Sequence, residues 1–480
     1  MKILLIQPPM HPEVITFGTM EPLALETLSA AIKLDSDLAH QVAVRILDLR
    51  VEKKGALEKT LSEFNPNIVG ITGITIDFPT MMQTAARVKE HSSAIAIVVG
   101  GHHATMAPQD FFRKNVDLIV RGPGVRTLPM IVKELAGNRD FKKIPGVIFQ
   151  QDGNFTETEG WDSSIEISHL PIPDRSLTKQ YRGKYRFDGF PWGLVTTSQG
   201  CPFRCTFCAC WKVLDGRYIA RDPEDVVEEF ARVPEKRIFI GDDHTFGNIA
   251  RADAIAELVR KRGLKKTFQA YSRADAIARH PQTFKRWAEI GLFALTVGFE
   301  ALRDEDLAAM NKKGSVEINE RANKILVDCG IHNYAHILLN PAFDNSDFRR
   351  IGEYVFQLGI LHPVFPVLTP LPGTELRKTT SNIFPDEHQY YDLGHPILPT
   401  TLSPEEFYAE MMQLFCKNYS VRRWLAAKAK KFMNFATRTD KYPWNETRAP
   451  EWYTIPIARR WISRELSPNR LNTFLSKFKK

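Results

Sequence analysis

The 480-residue chain contains no apolar run of the roughly 18 uncharged residues that a membrane-crossing helix needs. A spanning helix is therefore excluded. Cysteine is scarce, six in the whole chain, which excludes a disulfide scaffold at this size. The opening stretch MKILLIQPP is too short in apolar residues for a secretory leader and reads directly as a strand. The expected location is cytoplasmic. No internal repeat is present, so a solenoid is not expected. A global positive charge is also missing. The net charge is +8, but residues 417–480 hold 16 Lys and Arg against 4 Asp and Glu, a net +12 that leaves −4 on the remainder. The basic character belongs to one segment, and no nucleic-acid partner is expected.

What is present is an ordinary globular composition, 43% hydrophobic and 25% charged. At about 100–200 residues per domain, this length predicts two or three domains. Runs rich in Ile and Val at 2–7, 42–47, 67–73, 95–101 and 117–122 alternate with helical patterns near 22–34, 53–64, 79–91 and 125–136. Such alternation predicts an α/β domain over 1–150, doubly wound and Rossmann-like, with its ligand at the carboxyl ends of the strands. Residues 151–190 read as a connector. A second alternation follows over 191–395. Its strands are expected at 193–198, 237–241, 267–271, 293–299, 333–339 and 364–368, with helices near 223–232, 249–262, 279–290, 303–310, 316–329 and 346–358. Six βα units suit a partial (β/α)6, TIM-like barrel. Residues 396–480 read as a helical, basic C-terminal region, helical over 402–435.

Four of the six cysteines fall within ten residues at the end of the first barrel strand. Cys201, Cys205 and Cys208 have the spacing C-x3-C-x2-C. Three thiolates on one loop can bind three irons of a 4Fe-4S cube and leave the fourth iron open to a substrate or cofactor. A structural zinc knuckle is the alternative, although zinc sites usually pair C-x2-4-C with a second, distant pair. Cys210 reads as a bystander two residues on, and Cys329 and Cys416 as buried apolar residues of helices.

This spacing, with Phe207 before the last cysteine, resembles the signature of the radical SAM superfamily. The resemblance implies that the open iron binds S-adenosylmethionine (SAM), whose reductive cleavage gives a 5′-deoxyadenosyl radical. It also implies an electron donor such as flavodoxin or ferredoxin. Further positions resemble the family's SAM contacts: Gly241, Asp242 and Asp243 after the second strand, Ser272 and Arg273 after the third, Glu300 after the fourth, and the turn Leu371-Pro372-Gly373-Thr374. Taken singly, each would serve as a cap or turn residue. Their order at successive strand ends is what joins them. His244 is a candidate proton relay, or a hydrogen-bonded structural histidine.

A doubly wound domain before such a barrel resembles the cobalamin-binding group of the superfamily. Met20-Glu21-Pro22-Leu23-Ala24-Leu25 and Gly100-Gly101-His102-His103-Ala104-Thr105 carry this likeness. The resemblance implies corrin contacts at Thr72, Thr75, Gly100, Gly101, His102, His103 and Gly122. Two departures stand out: no D-x-H-x-x-G motif supplies a cobalt-ligating histidine, and Gly122-Pro123-Gly124-Val125 replaces the acidic turn of the group. The implied reaction is cobalamin-dependent methyl transfer to an unactivated carbon. Residues 330–376 and 390–415 look most like hopanoid ring-A methylases, and residues 208–223 resemble anaerobic magnesium-protoporphyrin monomethyl ester cyclases. Both likenesses imply a large apolar substrate, with methyl transfer or cyclisation as the chemistry. Peripheral contact of the basic segment with an anionic membrane would fit them, with Trp424, Trp444, Trp452 and Trp461 at the interface. A non-catalytic cobalamin or redox sensor, with a cluster closed by four cysteines, is the reading from another class.

Overall fold

The computed structural model describes residues 1–16, 18–151, 153–160, 170–187, 189–419 and 468–479. Strand β1 (Lys2–Gln7) shows why a sheet forms here: Ile3, Leu4, Leu5 and Ile6 are all fully buried, as a central strand covered on both faces requires. It pairs in parallel with β2 (Ala43–Asp48) on one side and β3 (Ile68–Thr72) on the other. β4 (Ala96–Gly100) and β5 (Leu118–Val120) continue the parallel array. The order β2-β1-β3-β4-β5 turns back on itself between β1 and β3, which opens a crevice at their carboxyl ends. Separate apolar clusters fill the two faces of the sheet.

Two further strands, β6 (Val147–Gln151) and β7 (Asn154–Glu157), extend this sheet antiparallel. They cross the boundary expected at 150, so a segment read as connector belongs partly to the sheet.

The second sheet runs in chain order, all parallel: β8 (Gly193–Val195), β9 (Arg237–Ile240), β10 (Thr267–Arg273), β11 (Leu292–Glu300) and β12 (His332–Ile337). Val364 and Val367 bridge to His336 and Leu339 and mark the sixth position. The result is an open arc of six βα units. The helix expected at 279–290 is observed as Pro281–Glu289. A separate short helix that was not expected, Ala274–Arg279, precedes it, and Pro281 starts the new helix and supplies no N–H to the one before.

The helix expected over 402–435 is observed as Pro404–Asn418, started by Ser403 and Glu406 in a capping box. Its expected continuation to 435, and the tail beyond it with Trp444, Trp452 and Trp461, lie outside the described residues, as does Trp424. A last helix, Pro468–Ser476, sets Phe474 against Tyr390, His395 and Tyr408. No helix among the described residues is long and apolar enough to cross a membrane.

The connector does more than span a gap. Its 3-10 helix, Arg175–Lys184, carries Arg175 and Arg182 into the junction of the two sheets. Arg175 donates to Glu229 Oε1 at 2.7 Å and to the Leu194 carbonyl at 2.6 Å, and lies 3.4 Å from Glu21 Oε2. Arg182 bonds Glu21 at 2.8 Å and Glu235 at 2.8 Å. Glu21 also accepts from the Leu194 backbone N–H at 2.6 Å, so one carboxylate of the first domain is bound by the connector and by β8. Nearby, burial and the adjacent Glu21 push Glu26 up to about 7. Glu21 and Glu229 are almost completely buried. Removing one partner of such a network leaves an uncompensated buried charge. Arg175→Ala is therefore expected to cost about 3–5 kcal/mol in urea denaturation, and a loss below about 1 kcal/mol would contradict the assignment.

Candidate active site at the domain junction

The cysteine loop leaves β8 through Gly200, which has φ +79°. A Cβ there would stand 2.0 Å from the Arg217 carbonyl oxygen, so only glycine fits. The Gly200 N–H donates to Asp243 Oδ2 at 2.7 Å, which ties the loop to the end of β9. Burial pushes the Cys201 thiol up to about 11 and raises that of Cys205 as well. Cys208 moves the other way, lowered chiefly by a hydrogen bond from Cys210. The three thiols lie within electrostatic range of one another on one loop. Three soft sulfur donors of this kind fit a 4Fe-4S cube.

Cys210 opens the short helix Cys210–Val213. It is more than a bystander: its thiol bonds Cys208 and Asp243, and it lines the cavity between the two sheets.

Around the loop, adjacent residues of the expected set part company. Asp242 is fully buried and accepts four hydrogen bonds, from the N–H and hydroxyl of Thr197 and of Ser198, at 2.6–3.0 Å. Its acceptor sites are filled, so the SAM contact expected of Asp242 is corrected to a latch that closes the end of β8. Asp243 and Gly241 face the cavity. Arg273 is held by Asp275 at 2.9 Å and by the Lys313 carbonyl, with its guanidinium carbon 3.4 Å from the Phe203 ring centre. Ser272 beside it is buried. Glu300 has φ +64°, a conformation rare outside glycine, and accepts from Lys312 Nζ at 2.7 Å. Burial holds His244 down at about 4, neutral at physiological pH, and its Nδ1 has no hydrogen-bond partner. Pro372 and Gly373 form a turn that packs on Met106, while the Leu376 N–H donates to the Thr206 carbonyl of the cysteine loop. Lys312 was not expected from the sequence, since no spacing links it to the cysteines; Phe203 lies between Cys201 and Cys205, where the motif assigns it no role.

The cavity has a volume of about 590 Å³. From the first sheet it is lined by Thr72, Gly100, Gly101, His102 and Gly122, and from the second by Gly241, Asp243 and Cys210. Thr75 and His103, also expected as corrin contacts, are not among the residues that line it. His103 turns instead toward Asp110. Gly101 has φ +98°, and a Cβ there would meet Thr72 Oγ1 at 2.6 Å and the Gly73 carbonyl at 2.7 Å. The packing of the first sheet itself already requires glycine here. His102 lies within electrostatic range of Asp243 across the junction, and burial lowers its imidazole. This crevice at the strand ends, with its half-buried imidazole and apolar walls, fits a large flat cofactor.

Residues 195–355 match the model of the radical SAM superfamily, and residues 16–132 match the B12 binding domain. The chain is a cobalamin-binding radical SAM enzyme. The cofactors of this radical SAM enzyme are a 4Fe-4S cluster, SAM and cobalamin. It is 27% identical over 419 residues to the hopanoid C-3 methylase of Methylococcus capsulatus, covering 86% of this chain and 79% of that protein. With the anaerobic magnesium-protoporphyrin IX monomethyl ester cyclase of Cereibacter sphaeroides the identity is 24% over 479 residues, 96% of this chain and 75% of that one. In fold, it superposes on the cobalamin-dependent SAM radical enzyme OxsB, solved with aqua-cobalamin and SAM, at a TM-score of 0.68 and 13% identity, over 100% of this chain and 80% of that one.

For this radical SAM enzyme, Cys208→Ala is expected to abolish the cluster after anaerobic reconstitution. Cys210→Ala should retain the full count of iron and sulfide. Loss of iron in both variants would instead indicate a cluster closed by four cysteines.

Proposed function

We propose that this enzyme is a cobalamin-dependent methyltransferase that adds a methyl group to an unactivated carbon of a large, apolar, hopanoid-like substrate. The observation that carries the reading is the shared cavity, where the strand ends of the first domain face the cysteine loop and Asp243. When bound, the cluster with SAM supplies a hydrogen-abstracting radical, and cobalamin carries the methyl group. The work of the chain is then to bind, orient and exclude water.

Cys201, Cys205 and Cys208 hold the iron. Gly241, Asp243, Ser272, Arg273, Glu300 and the Pro372-Gly373 turn hold SAM beside it, with Lys312 fixing the Glu300 carboxylate. Thr72, Gly100, Gly101, His102 and Gly122 hold the corrin. Leu23, Leu25, Leu28, Val125, Val213 and Leu214 give the cavity an apolar wall that suits a hydrocarbon skeleton. His244, kept neutral, is the group able to move a proton beside Arg273. The similarity to the hopanoid methylase supports the substrate class, and the recurrence of methyltransferases among the relatives supports the reaction.

The test uses the reconstituted full-length enzyme, reduced flavodoxin as electron donor and SAM with a trideuterated methyl group. A hopanoid substrate should gain one intact labelled methyl. Formation of 5′-deoxyadenosine without label in any product would refute the reading. A porphyrin ester converted with no added carbon would favour the cyclase.

A further inference from the structure

Outside the cavity, three side chains from distant parts of the chain converge on one point. His103 lies on the short helix His102–Met106, directly after the end of β4, and Asp110 on the 3-10 helix Pro108–Phe111. His388 lies on another 3-10 helix, His388–Tyr390, in the segment that follows the barrel. The Nε2 atoms of both histidines meet the same carboxylate oxygen, Asp110 Oδ2, at 3.1 and 2.9 Å. The three ligand atoms all lie within 4.8 Å of one another.

A plain hydrogen-bonded triad accounts poorly for this geometry. His103 has no exposed surface, and neither of its ring nitrogens makes an aligned hydrogen bond, although Nε2 stands close to Asp110. A buried polar group left this way costs about 1–3 kcal/mol. A cation at the focus would take the Nε2 lone pair. Zinc binds imidazole nitrogen and carboxylate oxygen at about 2.0–2.2 Å, which puts neighbouring ligand atoms of a tetrahedral site roughly 3.3–3.6 Å apart. The three atoms are already gathered within 4.8 Å, and the two contacts to Asp110 would open by only a few tenths of an ångström, about 0.2–0.7 Å, to admit the ion. Phe78 and Phe111 wall the inner side, their ring centres 5.1 and 5.5 Å from that of His103. Asp110 and His388 keep about a quarter of their side-chain surface exposed, so the outer side is open to water.

We propose that His103, Asp110 and His388 form a mononuclear site for a zinc-class divalent cation, separate from the iron–sulfur cluster, that clasps the segment after the barrel to the cobalamin domain. Two imidazoles and one carboxylate favour such an ion over calcium or magnesium, which prefer all-oxygen sites. The clasp acts on the active site through its neighbours. His102, which lines the cavity, precedes His103 on the same helix, and Met106 of that helix packs on Gly373. The clasped segment also holds the N-terminal strand region, through Tyr390 to Glu13 at 2.6 Å and Asp392 to the Ile15 N–H at 2.7 Å.

The test uses untagged full-length enzyme loaded with cluster and cobalamin, so that the cysteines are occupied. After equilibration with zinc and desalting, metal per chain is counted by mass spectrometry. One zinc per chain is expected in the wild type, with affinity reduced about tenfold or more in Asp110→Asn and in the surface variant His388→Gln, at unchanged iron and cobalamin. Zinc should raise the Tm of the wild type and not that of His388→Gln. Zinc retained equally by all three proteins, or X-ray absorption showing sulfur in its coordination shell, would overturn the proposal.

Discussion

Arg175 stands where the two sheets of this enzyme must agree on the placement of charge. Its guanidinium joins Glu21, from the segment leading into the first helix of the cobalamin domain, to Glu229 and the Leu194 carbonyl of the barrel. Each ion here is taken out of water, so none is tolerable alone. Together they satisfy one another only at one relative placement of the domains. That placement is what puts the carboxyl ends of β1, β3 and β4 opposite the end of β9 and the cysteine loop. The cavity, and every role assigned to its walls, follows from it.

A second constraint works at shorter range. The loop that presents the three cysteines is long and contains little regular structure, yet it must hold sulfur atoms at fixed separations. It is held at its base by Asp242, through four hydrogen bonds, and by Asp243, through the Gly200 N–H. Farther out, Leu376 and Asn311 bond the Thr206 and Arg204 carbonyls. Backbone is thus anchored from three sides before any iron binds, which reduces the ordering required when the cluster forms.

The strands of both domains were legible because buried parallel strands are written as short Ile- and Val-rich runs. The cysteine spacing was legible because cluster chemistry fixes it locally. What the sequence hid was which member of a doublet faces the site. Asp242 and Asp243 are identical neighbours, as are His102 and His103, and successive side chains leave the backbone in different directions. One of each pair lines the cavity, while the other serves the fold or points to a different cluster. The connector was legible only as a change in composition. Its function resides in charges at 21, 175, 182, 229 and 235, whose pairing no local spacing records. The hairpin of β6 and β7 was missed for a similar reason, since two short antiparallel strands follow an otherwise parallel alternation.

The central claim is that buried charge at the junction fixes the cobalamin cavity against the mouth of the cluster. The most direct measurement is a pulsed electron paramagnetic resonance distance between cob(II)alamin and the reduced cluster, in the wild type and in Arg175→Ala. A narrow distribution in the wild type that broadens in the variant is the predicted result. Identical narrow distributions in both proteins would contradict the account.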